Sequence, residues 1–218
     1  MSIESRNNDK DESVVRWLNE EVGDGENGII IYPNLQSFRQ IYTKYVKDQL
    51  AKEEEDEDND NSRGNKQLKS RITLIGTFYE TVESVKHHLS AVGVQDIQSL
   101  IDNGSLVIVD GFSAYYPDIN GMKKLVASLS ERARKEGRVG VTAIVEMGYF
   151  FLFGGDGRAT ELINYEASLP PKTEGGNVKG LSCYHGGNYN TLKHNQKKEL
   201  AQKGKKLFEL TETLTTSS

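Results

Sequence analysis

Short apolar runs alternate with segments of helical period along the 218-residue chain. That alternation predicts an α/β fold, an open and mainly parallel sheet with helices on both faces. Two observations carry the prediction. The runs are rich in Ile, Val and Leu and lack the polar alternation of a half-exposed strand, which suits strands covered on both sides. The segments between them space apolar residues three and four apart, so each offers one stripe to such a sheet.

The elements follow in order. Gly28-Ile-Ile-Ile-Tyr-Pro33 reads as the first strand, and Leu35, Phe38, Tyr42, Tyr45 and Leu50 form the stripe after it. Residues 51–67 (AKEEEDEDNDNSRGNKQ) hold no apolar residue beyond Ala51. Such a segment cannot offset the entropy of ordering and is expected to be a mobile, disordered acidic loop. Arg71–Gly76 is the second strand, followed by the stripe Val82, Val85, Leu89 and Val92. Leu106–Asp110 is the third, and the stripe Met122, Leu125, Val126, Leu129 and Ala133 after it closes on the C-cap signal Glu136-Gly137. Val141–Val145, a helix over 160–169 and Gly180–Tyr184 complete the series. Residues 1–13 and 211–218 are expected to be flexible ends, leaving one domain over 14–210.

Composition narrows the function classes. Charged residues make up 27% and hydrophobic residues 36%, as in soluble globular proteins. The aromatic run Tyr149–Phe153 is too short to cross a bilayer. The polar, acidic start predicts no secretory signal, and the single cysteine, Cys183, forms no internal disulfide or cysteine cluster, so a cytoplasmic location is expected. The net charge of −5 comes from Lys52–Asp60, which carries seven acids and one base. Without it, 25 acids stand against 26 bases, so no global field steers the protein to nucleic acid. The lysine-rich run Lys193–Lys206 reads as a solvated helix face.

Ligands of parallel sheets sit at the C-terminal ends of the strands, which directs attention to Pro33, Thr77, Asp110 and Glu146. Asp110 ends an apolar strand, as does the magnesium-holding aspartate of many ATPases. Yet no stretch fits Gly-x-x-x-x-Gly-Lys-Ser/Thr, and Pro33 after the first strand has no N–H to give a phosphate. ATP hydrolysis is not expected, and Asp110 reads equally as a cap. Gly155, Gly157 and Arg158 form the best candidate anion nest, with a plain turn as the alternative. His87, His88, His185 and His194 lack the spacing of a zinc motif. Cys183 beside His185 is a thiol pair only in outline, since a cysteine in Leu-Ser-Cys-Tyr is commonly a small core residue. No catalytic residue, metal site or cofactor is therefore assigned. Glu166 falls about 40° from Leu162 around its helix, inside the apolar stripe. There a carboxylate needs a partner or a raised pKa. Glu146 ends an apolar strand and has the same status; either acid braces the fold or serves a ligand.

Taken in order, Gly25-Glu26 before the first strand, Gly104-Ser-Leu-Val-Ile-Val-Asp110, Val145-Glu146-Met147, Tyr165-Glu166 and Leu181-Ser-Cys183-Tyr184 resemble the MEDS domain. This is the methanogen/methylotroph sensory domain related to the RecA and KaiC ATPases. The resemblance spans roughly residues 14–210. It departs at Ser13-Val-Val-Arg-Trp17, where members carry His-x-Cys, at Val145, where they carry glycine, and at the extra acidic segment. It implies a three-layer α/β/α sandwich with a RecA/KaiC-like sheet lacking the phosphate loop, and a stand-alone sensory module that binds a small molecule or a signalling protein. The expectation is a non-catalytic regulatory domain with Asp110, Tyr116, Glu146, Tyr165, Glu166, Cys183 and Tyr184 around its ligand. A regulatory nucleotide-binding protein is one alternative, and an interaction subunit using the acidic loop or the lysine-rich helix is another. No membrane or nucleic-acid partner is expected, and a homo-oligomer is compatible with each reading.

Overall fold

Six strands form a single sheet in the computed structural model, which describes residues 14–59, 70–152, 156–169, 177–202 and 206–210. They are β1 (Asn27–Tyr32), β2 (Arg71–Thr77), β3 (Leu106–Asp110), β4 (Gly140–Glu146), β5 (Val178–His185) and β6 (Lys206–Glu209). Their order is β3-β2-β4-β5-β1-β6, and each neighbouring pair is parallel. A helix over residues 14–20, α1, precedes β1. The connections carry α2 (Leu35–Asn59), α3 (Val82–Ala91) and α4 (Ile97–Asp102), then α5 (Gly111–Tyr115) and α6 (Gly121–Lys135). A 3-10 turn (Gly148–Phe151) and α7 (Asp156–Ala167) follow β4, and α8 (Gly186–Thr191) and α9 (His194–Gln202) follow β5.

From β1 the chain steps toward β3, then reverses and steps toward β6. Right-handed crossovers therefore place the early and late helices on opposite faces. The core divides accordingly. Ile29 and Ile31 of β1 pack with Met122 and Leu162 on one side, while Ile30 and Tyr32 pack with Phe38 and Leu89 on the other. That is the two-residue period of a strand. We call these the α6 face and the α2 face. Both β1 and β4 are buried throughout, which is why their sequences lack polar alternation. The α6 C-terminus ends as its sequence predicts. Gly137 takes φ 69° with open space around it, and the Arg138 N–H reaches back to the Ala133 carbonyl at 2.9 Å.

Two elements differ from expectation. The helix after β1 does not stop at residue 50 but runs on through the acidic residues to Asn59, so the loop expected over 51–67 begins no earlier than residue 60; residues 60–67 lie outside the described residues. Once an amphipathic helix is nucleated, each added residue costs little, and Glu and Lys are good helix formers. At 25 residues α2 is about 37 Å long, against about 20 Å for β1. Its acidic third thus extends past the sheet. The second difference is β6, which the lysine-rich run conceals. It is a four-residue edge strand beside β1, mostly exposed, where Lys and Glu suit an unpaired rim. Phe208 anchors it against Trp17, ring centroids 5.4 Å apart.

Candidate functional site

Parallel strands deliver their last side chains to one edge, and on the α2 face that edge centres on Glu146. Cys183 pairs with Glu146 across β4 and β5, and Ile30 pairs with Cys183 across β1 and β5. Tyr32, two residues beyond Ile30, leans back to donate its hydroxyl to Glu146 Oε1 at 2.5 Å. Oε2 accepts the backbone N–H groups of Phe78 at 2.6 Å and Tyr79 at 3.0 Å. One wholly buried carboxylate thus ties β1, β4 and the loop after β2 together. Burial pushes its pKa above the usual carboxylate range, and the three donors offset part of that rise. Burial, reinforced by the neighbouring Glu146 carboxylate, drives the Tyr32 phenol far up, so Tyr32 stays a donor. Gly148 lets the loop close, because a Cβ there would meet the Phe78 ring at 2.1 Å.

The next residue along that loop, Glu80, binds Arg39 Nε at 3.0 Å and accepts from Tyr42 and Ser84, fastening α2 to α3. His185, at the end of β5, caps α8 by accepting the Gly187 N–H through Nδ1 at 3.2 Å. Its ring lies 5.6 Å from Tyr32 and 5.7 Å from Tyr79.

Across the sheet, on the α6 face, Glu166 accepts from Tyr184 at 2.6 Å and from the Asn27 amide at 3.2 Å; that amide also donates to Ser182 at 2.9 Å. The carboxylate inside the stripe of α7 thus locks that helix to β1 and β5. Tyr165 beside it packs with Tyr115 and Phe150 in an aromatic cluster. Burial raises the Tyr165 and Tyr184 phenols.

The expected residues are therefore not one constellation. Glu146 and Cys183 face α2, whereas Tyr165, Glu166 and Tyr184 lie on the α6 face. Cys183 is fully buried, and burial pushes its thiol well up, the form of a core residue. Asp110 is a helix cap: it accepts the N–H groups of Phe112 and Ser113 at 3.2 Å each and the Ser113 hydroxyl at 2.5 Å. Tyr116 is 60% exposed and stacks on Phe112, 5.6 Å between centroids. Arg158 is engaged by Glu161 at 2.5 Å and lies over the Tyr149 ring, beside an open Gly157; Gly155 lies outside the described residues. Among the described residues no three His, Cys, Asp or Glu side chains converge as metal ligands.

Where a phosphate loop would lie, only Pro33 and Asn34 separate β1 from α2. Asn34 Oδ1 accepts the Ser37 N–H at 3.0 Å, so the first turn of α2 carries its own cap. The C-terminal edge offers instead an apolar rim. Tyr79 after β2, Phe112 and Tyr116 after β3, and Leu152 after β4 are exposed by 39, 40, 60 and 44%. Those three strands are neighbours in the sheet. Sequence reasoning singled out Tyr116 from this group and missed Tyr79, Phe112 and Leu152. The i, i+4 spacing of Phe112 and Tyr116 was a readable signal for one side of the rim. No family model and no curated protein matches the chain.

Proposed function

We propose that the chain is a non-catalytic regulatory domain that recognises a partner protein or a small ligand on the C-terminal rim of its sheet. In this reading it is a sensory module of the RecA/KaiC-like type its sequence resembles, with the nucleotide machinery gone. The observation that carries the proposal is the exposed rim of Tyr79, Phe112, Tyr116 and Leu152. Large apolar groups left in water along adjacent strand ends are the usual mark of an interaction site, and strand ends are where such sheets bind. The self-capped, two-residue β1–α2 connection and the cap role of Asp110 support it further, because both occupy with internal hydrogen bonds what a nucleotide site leaves open.

Calorimetric titration with magnesium and ATP separates this reading from a regulatory nucleotide-binding protein. The proposal predicts no saturable heat at millimolar nucleotide. Micromolar binding that disappears in Asp110→Ala would replace it with the nucleotide reading.

A further inference from the structure

We propose that the loop Phe78–Glu80 is a pH-operated latch: while Glu146 holds its proton the loop stays closed over it, and loss of that proton lets the loop lift and carry Tyr79 off the rim. The consequence for binding rests on the rim reading; the opening itself does not.

The geometry is that of a lid over a buried acid. Glu146 is the last residue of β4 and is wholly buried. Its Oε2 accepts the N–H groups of Phe78 and Tyr79, with the Thr77 hydroxyl at 3.4 Å. Those residues end the neighbouring strand β2 and begin the loop after it, and Tyr79 is already 39% exposed. The cover over the carboxylate is therefore thin. Its two ends are fixed. Thr77 donates its hydroxyl to the Glu80 carbonyl at 2.9 Å, and the Glu80 carboxylate is held by Arg39, Tyr42 and Ser84. Between those anchors the fastenings are lighter: the Phe78 ring against Gly148, and the Tyr79 hydroxyl meeting the Asn188 amide. Movement is thus confined to Phe78 and Tyr79.

The groups around Glu146 do little to keep it ionised. β1 presents Tyr32, and β5 presents Cys183 and, beside Tyr32, His185. From α2 and α3 come Tyr42, Arg39 and His88, grouped around Glu80. Arg39 is taken up by Glu80 at 3.0 Å, and Glu80 itself faces Glu146 as a like charge. Among the described residues Glu146 makes hydrogen bonds but no ion pair, so burial disfavours its charged form. With the loop lifted, water reaches it. A carboxyl that holds its proton more tightly closed than open favours closure when protonated and opening when ionised.

Hydrogen exchange at assigned backbone amides of the full chain, corrected for the intrinsic pH dependence, tests the latch. Phe78 and Tyr79 are expected to exchange faster than Ile75 in β2, through an opening short of global unfolding. Their protection is expected to fall as pH rises above the open-state value near 4.3, by up to about tenfold per pH unit. Glu146→Gln keeps an acceptor but cannot ionise, so its protection should stay flat while circular dichroism shows it folded. Wild-type protection that is flat or rises with pH overturns the proposal, and this profile decides alone if the variant does not fold. So do Phe78 and Tyr79 amides that exchange no faster than Ile75, or a fall that persists in folded Glu146→Gln. Because the readout is the loop's own amides, the latch can fail while the rim still binds, and the reverse.

Discussion

Glu146 and Glu166 each accept hydrogen bonds from hydroxyl and amide donors, and both are essentially inaccessible to water. Truncating Glu146 to alanine strands the Tyr32 hydroxyl and two loop N–H groups and should cost about 3 kcal/mol, read by urea denaturation. Tyr184→Phe removes one donor from Glu166, and about 1–2 kcal/mol is expected. The pH dependence has a definite sign. Because burial holds the folded Glu146 pKa above its unfolded value, the stability it contributes is complete below the ordinary carboxylate pKa and is lost as pH rises through the folded one. Glu146→Gln cannot ionise. Wild type should therefore lose ground to that variant as pH rises above the unfolded carboxylate value, near 4.3. A stability difference that stays flat with pH contradicts the assignment. Sequence alone marked both acids as needing partners, since each lies on an apolar element. It could not identify the partners, because Tyr32 lies 114 residues from Glu146 and Asn27 lies 139 from Glu166. Nor does a strand sequence say which face its odd residues meet, so two acids on opposite faces read as neighbours.

At the level of elements, strands buried on both faces and helices with wide stripes were legible because burial writes itself into composition. β6 was not, since four residues at an exposed edge carry no period and the surrounding lysines dominate the reading. Its docking has a convenient reporter, for Trp17 is the sole tryptophan in the sequence and meets Phe208. Phe208→Ser should shift Trp17 emission to longer wavelength with far-ultraviolet circular dichroism nearly unchanged. Unshifted emission would mean that β6 is not held there in solution. The end of α6 gives a second check. Gly137 adopts φ 69° with nothing near its Cβ position, so Gly137→Ala carries a purely conformational cost of about 1 kcal/mol, measurable as a lowered urea midpoint.

For the whole molecule, the parallel order β3-β2-β4-β5-β1-β6 gathers five connections on one edge, and that edge holds the exposed aromatic rim. Tyr115, in the core of the α6 face, stacks on Tyr149, whose ring centroid lies 6.1 Å from that of Phe112 on the rim. The fold class was legible in the chain; the rim was not, because exposure of an aromatic depends on which loops cover it. Native mass spectrometry of the protein, purified from its own cells under non-denaturing conditions, tests the rim most directly when wild type is run beside the double variant Phe112→Ser, Tyr116→Ser. The account predicts that wild type retains a partner chain or small molecule of defined mass and that the folded variant loses it. A clean, unliganded monomer from wild type, or a complex unchanged by the double substitution, would contradict it.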